Sequence, residues 1–311
     1  MFSRGAVVCL LSAALFGAMG IFGKLAFDDG ATPGTLLAAR FAIAAVALWC
    51  LMLMTGSLSQ MRAVAPRDLT MALMLGACGY ALQAGCYFVA LEHLDASLLS
   101  LVLYTFPAIV TVAAVALGRE PLDRRRVLAL GLVSTGLVLI LGTAGASNVN
   151  GVGVALGLGA AFTYSAYILM SDGVARRVPA LPLATLVCTG AAVSLTVGSA
   201  LTGQLRPEEV TLAGWGWLAC IAVVSTVGAI TLFFAGLSRV GPTSASILST
   251  FEPVVTVVFA AAVLAEHLAP IQLAGGALVL TAVLVLRVRP RHRPAHKSAQ
   301  PASSGLLAEM H

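Results

Sequence analysis

Two ionisable residues stand inside apolar runs where a bare charge is costly: Glu252 and Arg40. Glu252 lies about ten residues into its run, which at about 1.5 Å per residue places it near the middle of a bilayer. An ionised, unpaired acid at that depth costs about 2.5–3.5 kcal/mol. Its chemistry is therefore either functional, exchanging a proton or pairing with an amine, or structural, a protonated carboxyl bonded to a backbone carbonyl released by the neighbouring Pro253. Arg40 carries a planar guanidinium fork suited to a carboxylate or another anionic group. Its structural alternative is to snorkel outward or to pair with Asp28 or Asp29. Around these two, polar residues fall at steps of three and four, which gathers each set on one helical face. One stripe is Gly76, Tyr80, Gln83 and Tyr87; the next is Ser97, Ser100, Tyr104, Pro107 and Thr111; a third is Tyr164, Tyr167 and Ser171. Small and hydroxyl residues also serve ordinary helix packing, but Tyr and Gln are too bulky for close approach and suit the wall of a wet cavity. The candidate ligand-binding set is accordingly Arg40, Gln83, Tyr87, Tyr104, Tyr164, Tyr167, Ser249 and Glu252.

These residues are positioned by a duplicated element. Leu94 to Ile140 repeats at Val240 to Leu286 with a constant offset of 146, which carries Pro107 onto Pro253, Glu120 onto Glu266 and Leu122 onto Leu268. The second copy restates the polar stripe as Thr243, Ser246, Thr250 and Pro253. Each proline removes a donor and frees a carbonyl one turn earlier, tolerated in lipid only where neighbours or water satisfy it. A static kink explains one proline alone; the matched pair points to a hinge or an exposed carbonyl. Glu120 and Glu266 end their spans and read as interfacial groups that cap a helix or join a salt bridge.

About 20 apolar residues cross a hydrocarbon core of about 30 Å, and the chain contains ten such runs, near 6–26, 34–56, 69–91, 96–117, 125–143, 152–172, 181–202, 212–237, 243–265 and 270–287. The expected fold is an all-α polytopic membrane protein with ten transmembrane helices in two inverted five-helix repeats, 1–143 and 151–287. A short connection, 144–150, joins them, and a disordered basic cytoplasmic tail, 288–311, follows. Basic residues set the orientation. Arg4, Arg62, Arg67, Arg119, Arg124 to Arg126, Arg176, Arg177, Arg239 and the tail lie on one side, against Arg206 alone on the other. This bias places both termini in the cytoplasm and the copies in opposite senses. Trp215 and Trp217 near one interface and Trp49 near the other fit aromatic belts. An inverted membrane duplication is the architecture of many secondary transporters, whose site lies where the copies meet.

Composition narrows the alternatives. The chain is 59% hydrophobic and only 10% charged, against about 25% charged in soluble domains. Its net charge of +5 is distributed by topology, so nucleic acid is not an expected partner. The six cysteines, Cys9, Cys50, Cys78, Cys86, Cys188 and Cys220, lie in apolar segments without metal-type spacing and read as small packed hydrophobes. No cofactor or metal is expected. An intramembrane enzyme acting on a lipid-soluble substrate needs a cluster of His, Cys or acids at one depth, yet every histidine (His93, His267, His292, His296, His311) falls in a loop or the tail. A membrane protein without a transport cycle is the remaining alternative.

The segments DASLLSLVLYTFPAIVTVAAVALGREPL, from Asp95, and PTSASILSTFEPVVTVVFAAAVLAEHL, from Pro242, resemble the fourth and ninth helices of the EamA family in the drug/metabolite transporter superfamily. Phe16 and Gly17, Lys24, and the run Ala39 to Phe41 also match, and the resemblance extends to about Arg287. It implies a multi-pass carrier of the inner membrane with a central substrate cavity, for export or uptake of small metabolites such as amino acids or amphipathic, drug-like compounds, with efflux the preferred direction. Arg40, Tyr104 and Glu252 map near that cavity. Tyr164 stands where the family commonly has Trp. The expected partners are a small-molecule substrate and the lipid bilayer, with a homodimer left open.

Overall fold

The computed structural model describes residues 4–116, 124–142, 150–175, 177–233, 248–249 and 251–287. Among them the chain is helical. In order the helices are α1 (Arg4–Gly17), α2 (Met19–Asp28), α3 (Pro33–Met54), α4 (Leu58–Arg62), α5 (Pro66–Met74), α6 (Ala81–His93), α7 (Ala96–Leu103) and α8 (Phe106–Ala116). They continue with α9 (Arg124–Gly142), α10 (Gly151–Ala175), α11 (Ala180–Leu201), α12 (Leu212–Ala222), α13 (Glu252–Val263) and α14 (Pro270–Arg287). Arg119, Glu120, Leu122, Arg176, Arg239, Thr243, Ser246, Thr250 and the tail lie outside the described residues, as do the side chains of Pro107 and Thr111.

Five stretches among the described residues are long and apolar enough to cross a membrane: Arg4–Asp28, Pro33–Met54, Pro66–His93, Ala180–Leu201 and Leu212–Phe233. The distribution of side chains is that of a membrane bundle. Large apolar residues such as Met54, Leu201 and Leu212 cover the outside, at 85%, 83% and 91% exposure, while Arg40, Gln83, Ser97 and Thr226 are buried. In lipid that arrangement leaves polar atoms to bond one another. Cys9 and Cys188 are packed inside as expected, but Cys50 and Cys78 are on the surface of the bundle; an apolar thiol is as well accommodated by lipid as by protein.

Local signals start the helices where the chain turns. Thr32 accepts from Thr35 N at 3.1 Å with Pro33 in the first turn of α3, and Thr211 accepts from Gly214 N at 3.1 Å to start α12. α3 then lies along α11, α9 along α14, α2 along α12, α6 along α10, and α7 against α13. Contact of α11 with the end of α5 and the stretch after it is close enough that a Cβ on Gly76 would stand 2.0 Å from Val187 O, and one on Gly190 2.2 Å from Leu73 O. Glycine lets the two backbones touch, which is how packing holds helices together when lipid offers no hydrophobic drive.

Helices that read as continuous runs are interrupted. α1 gives way to α2 at Ala18, and α7 gives way to α8 at Tyr104 and Thr105. α13 starts at Glu252, 146 residues after the start of α8 at Phe106, so both prolines stand second in the helix that follows a break. That is where a missing N–H costs least. Two π-helical stretches, Leu75–Tyr80 between α5 and α6 and Val223–Gly228 after α12, add further irregular backbone inside spans. Such bulges recur at functional sites because they redirect side chains and loosen carbonyls.

At the ends of the bundle, distant segments are bonded together. Asp29 accepts from Thr211 Oγ1 and Trp217 Nε1, each at 3.0 Å, and Arg177 grips Asp68 through two nitrogens at 2.7–3.1 Å. Glu266 accepts from the backbone of Ala96 and Ser97 and from the Ser97 hydroxyl. It is thus a capping group, and it caps a helix far from its own in sequence.

Candidate functional site

Arg40 is 1% exposed and does not snorkel. Nor does it pair with Asp28 or Asp29, since Asp29 is held by Thr211 and Trp217; among the described residues no carboxylate pairs with Arg40. Its Nε donates to Thr226 Oγ1 at 2.9 Å and its Nη2 to Tyr80 Oη at 3.5 Å. Both partners come from the π-helical stretches. Thr226 itself donates to the carbonyl of Ile221, five residues back, a bond available in π geometry. The guanidinium carbon lies 4.8 Å from the Phe41 ring centroid and 5.5 Å from that of Phe88, so ring faces supply the remaining stabilisation. Among the described residues the buried cation is held by neutral groups.

Glu252 is partly buried at the start of α13. Tyr104 Oη lies 3.0 Å from Glu252 Oε2 and 2.8 Å from the carbonyl of Ser249, the carbonyl four residues before Pro253 that the proline ring releases. A phenol has one proton to give. When it goes to Ser249 O, the second contact is a hydrogen bond only if Glu252 supplies the proton. An ionised Glu252 takes the Tyr104 proton instead, and Ser249 O loses that donor. The charge on Glu252 and the bonding at the helix break are therefore linked through one hydroxyl.

Aromatic rings join the two charged groups. Phe41 stands edge-on to Tyr80 at 5.1 Å between centroids; Tyr80 stacks with Tyr167 at 5.7 Å, and Tyr167 with Tyr164 at 6.4 Å. Tyr164 meets Phe106 at 4.7 Å, and Phe106 meets Tyr104 at 5.7 Å. Arg40 is bonded at one end of this series and Glu252 at the other. Gln83 and Tyr87 share the helical face of Tyr80, and both are buried. Tyr80 and Tyr87 each lie within electrostatic reach of both Arg40 and Glu252. The Gln83 side chain makes no hydrogen bond among the described residues. Ser249 contributes its carbonyl to the arrangement.

Bonds and ring contacts thus connect Arg40, Tyr167, Tyr164, Tyr104, Ser249 and Glu252 of the sequence-based set, through Thr226, Tyr80, Phe41, Phe88 and Phe106, which that set did not contain, while Gln83 and Tyr87 share only the helical face of Tyr80. Tyr80 was visible in its stripe. Thr226 had a weaker signal, the polar pair Ser225 and Thr226 inside an apolar run, whereas phenylalanines in a membrane span carry no mark of where they point.

The break before α13 also depends on Gly17, whose added Cβ would meet Glu252 O at 2.8 Å while Thr256 Oγ1 donates to Gly17 O at 3.0 Å. Gly17→Val is expected to push α13 away from α1 and to destabilise the protein by about 1–3 kcal/mol, the usual cost of overpacking. Thermal unfolding in detergent, followed by the fluorescence of a thiol-reactive dye on the buried cysteines, measures the shift; an unchanged midpoint refutes the close approach.

Apolar helices with breaks 146 residues apart thus carry a buried cation and a carboxyl at the two ends of a series of rings. The chain belongs to the EamA-like transporter family, which it matches twice, over residues 3–142 and 151–288. It is 26% identical over 284 residues to YcbK of Bacillus subtilis, named an uncharacterized transporter, covering 88% of this chain and 89% of that one. It is also 26% identical over 281 residues to an uncharacterized transporter of Archaeoglobus fulgidus, covering 90% and 95%. A solved crystal structure, 19% identical, shares the fold with a TM-score of 0.62 over 92% of this chain and 97% of its own. The protein is a multi-pass secondary transporter, and the enzyme alternative is set aside.

Proposed function

We propose that this transporter exports a small zwitterionic or amphipathic metabolite, an amino acid or a drug-like amine, across the inner membrane by alternating access. Arg40 takes the anionic group, Glu252 the amine or a proton, and the aromatic series from Tyr80 to Tyr104 the apolar body. The observation that carries this reading is the buried Arg40 guanidinium, which no described carboxylate neutralises, linked to Glu252 by an unbroken series of rings. Counterflow of labelled amino acids and of organic cations into proteoliposomes tests it. Saturable exchange of amine-bearing compounds supports the proposal; exchange confined to neutral or purely anionic compounds refutes the role of Glu252.

In this reading ten helices form two inverted five-helix halves, 1–143 and 151–287. The paired helices α3 with α11 and α9 with α14, and the breaks 146 residues apart, are what an inverted duplication predicts. Among the described residues, segments that the Lys and Arg bias assigns to one face are bonded within that face: Asp29 with Thr211, Glu266 with Ser97, Arg177 with Asp68. With both termini cytoplasmic, a cysteine introduced at Arg124 resists an impermeant thiol reagent in intact cells and one at His267 reacts. Equal labelling at both positions removes the inverted arrangement.

The charge on Glu252 supplies a switch for the cycle. Protonated, it donates to Tyr104 and lets Tyr104 hold Ser249 O, tying α7 to the residues before the break; ionised, it takes the Tyr104 hydroxyl for itself and leaves Ser249 O without that donor, so the hydroxyl passes from one side of the break to the other. A ligand that binds the two arrangements unequally shifts their populations.

A further inference from the structure

One face of α7 is polar from end to end. At its start Glu266, from the turn after α13, accepts from Ala96 N at 2.9 Å, Ser97 N at 3.0 Å and Ser97 Oγ at 2.8 Å. These are donors that a helix N-terminus leaves unpaired, and its dipole favours a carboxylate there. Asp95 stands at the N-cap position of α7 but makes no capping bond, so the acid that caps is imported from the other half of the chain. At the far end of α7, Tyr104 reaches Glu252. Between them lies Ser100, three residues after Ser97 and four before Tyr104, so that the three share a face. Ser100 is 5% exposed, and its hydroxyl is buried with no hydrogen-bond partner. Native structures rarely leave such a group unpaired without a use for it.

We propose that this face of α7 is a proton route running from Glu266 through Ser97, Ser100 and Tyr104 to Glu252, and that the ion exchanged for substrate is a proton entering from the Glu266 side. The proposal rests on the reading of Glu252 as the coupling acid. Along the helix axis the steps are about 4.5 Å and 6 Å at 1.5 Å per residue, gaps that a single bridging water spans. Tyr104 follows Ser100 by one turn on the same face, at the C-cap position of α7. A proton carried by water beside Ser100 passes to Tyr104 Oη as Tyr104 gives its own hydroxyl proton to the ionised Glu252 carboxylate. Tyrosine is neutral before and after; one proton leaves the Glu266 side and one is bound at Glu252. The groups that face the route are Tyr80, Tyr87 and Tyr104 near Glu252 and Asp95 and Tyr87 near Glu266, with Arg40 beside Tyr80 and Tyr87 and Lys24 beside Asp95. In the structure the route is closed at Ser100, whose hydroxyl awaits water when α13 moves from α7.

The proton itself is the probe, so no substrate is required. The full chain in liposomes is jumped to lower pH, and the carboxylic-acid stretch of Glu252, identified by its loss in Glu252→Gln, is followed by infrared spectroscopy. Ser100→Ala is expected to slow its appearance by at least about tenfold, equivalent to one proton-transfer step losing a relay group. Ser100→Thr, which keeps the hydroxyl, restores the rate. Ser97→Ala leaves both backbone donors to Glu266 in place and carries the test if Ser100→Ala does not fold. Wild-type rates in the alanine variants overturn the route, and slowing in Ser100→Thr equal to that in Ser100→Ala overturns it as a packing effect. A wild-type band that never responds to pH overturns the reading of Glu252 instead.

Discussion

Glu252→Gln is expected to abolish the pH dependence of transport while the protein stays folded. The Gln amide donates to Tyr104 Oη as the protonated acid does, so Tyr104 keeps its bond to Ser249 O and stays bonded on both sides of the break before α13. What the amide lacks is a second state. Transport that varies about tenfold or more with pH in the wild type, a difference of about 1.4 kcal/mol between the two charge states, becomes flat in the variant. Amine-bearing substrates lose more than neutral ones, because only they need the carboxylate. The measurement is uptake into proteoliposomes across a range of external pH. Normal pH-dependent flux together with a protein that falls apart in detergent would make Glu252 a structural acid of the proline break.

Arg40→Lys is expected to cut transport by about tenfold or more although the charge is kept, since one charged hydrogen bond contributes about 1.5–3 kcal/mol. Lysine cannot reach Thr226 Oγ1 and Tyr80 Oη and still present a planar pair of donors to a substrate anion. It also lacks the flat face that lies against the Phe41 and Phe88 rings. The loss should appear as weaker apparent affinity for substrates with a carboxylate and be absent for those without one. Full transport with unchanged affinity in the Lys variant would reduce Arg40 to a residue that pairs helices.

The interior was partly legible in the sequence, and the reason differs from residue to residue. Tyr80, Gln83 and Tyr87 were legible because helical periodicity sorts polar side chains onto one face and lipid forbids them the other. Glu266 was recognisable as a capping group from its place at the end of a span, but not as the cap of α7, because the donors it takes lie 169 and 170 residues away. Arg40 was read with Asp28 and Asp29 as candidate partners because they are near in sequence. The bundle instead gives Asp29 to Thr211 and Trp217 and seats Arg40 on Thr226, 186 residues distant.

The sequence by itself determined that this is an all-α membrane protein built from apolar helices and a repeated element, and it located the prolines and the two ionisable residues within it. Those properties follow from terms that act residue by residue: transfer into lipid, helical period, the missing proline N–H and the side on which Lys and Arg accumulate. Tertiary structure alone decided which hydroxyl meets Glu252, which threonine holds Arg40, which rings connect them and which helix Glu266 caps. Most of those choices are contacts between helices far apart in the chain, set by how glycines and π-helical turns let backbones approach. Apolar membrane sequence encodes depth strongly and partners weakly, because one side of a helix looks much like the next until the bundle closes.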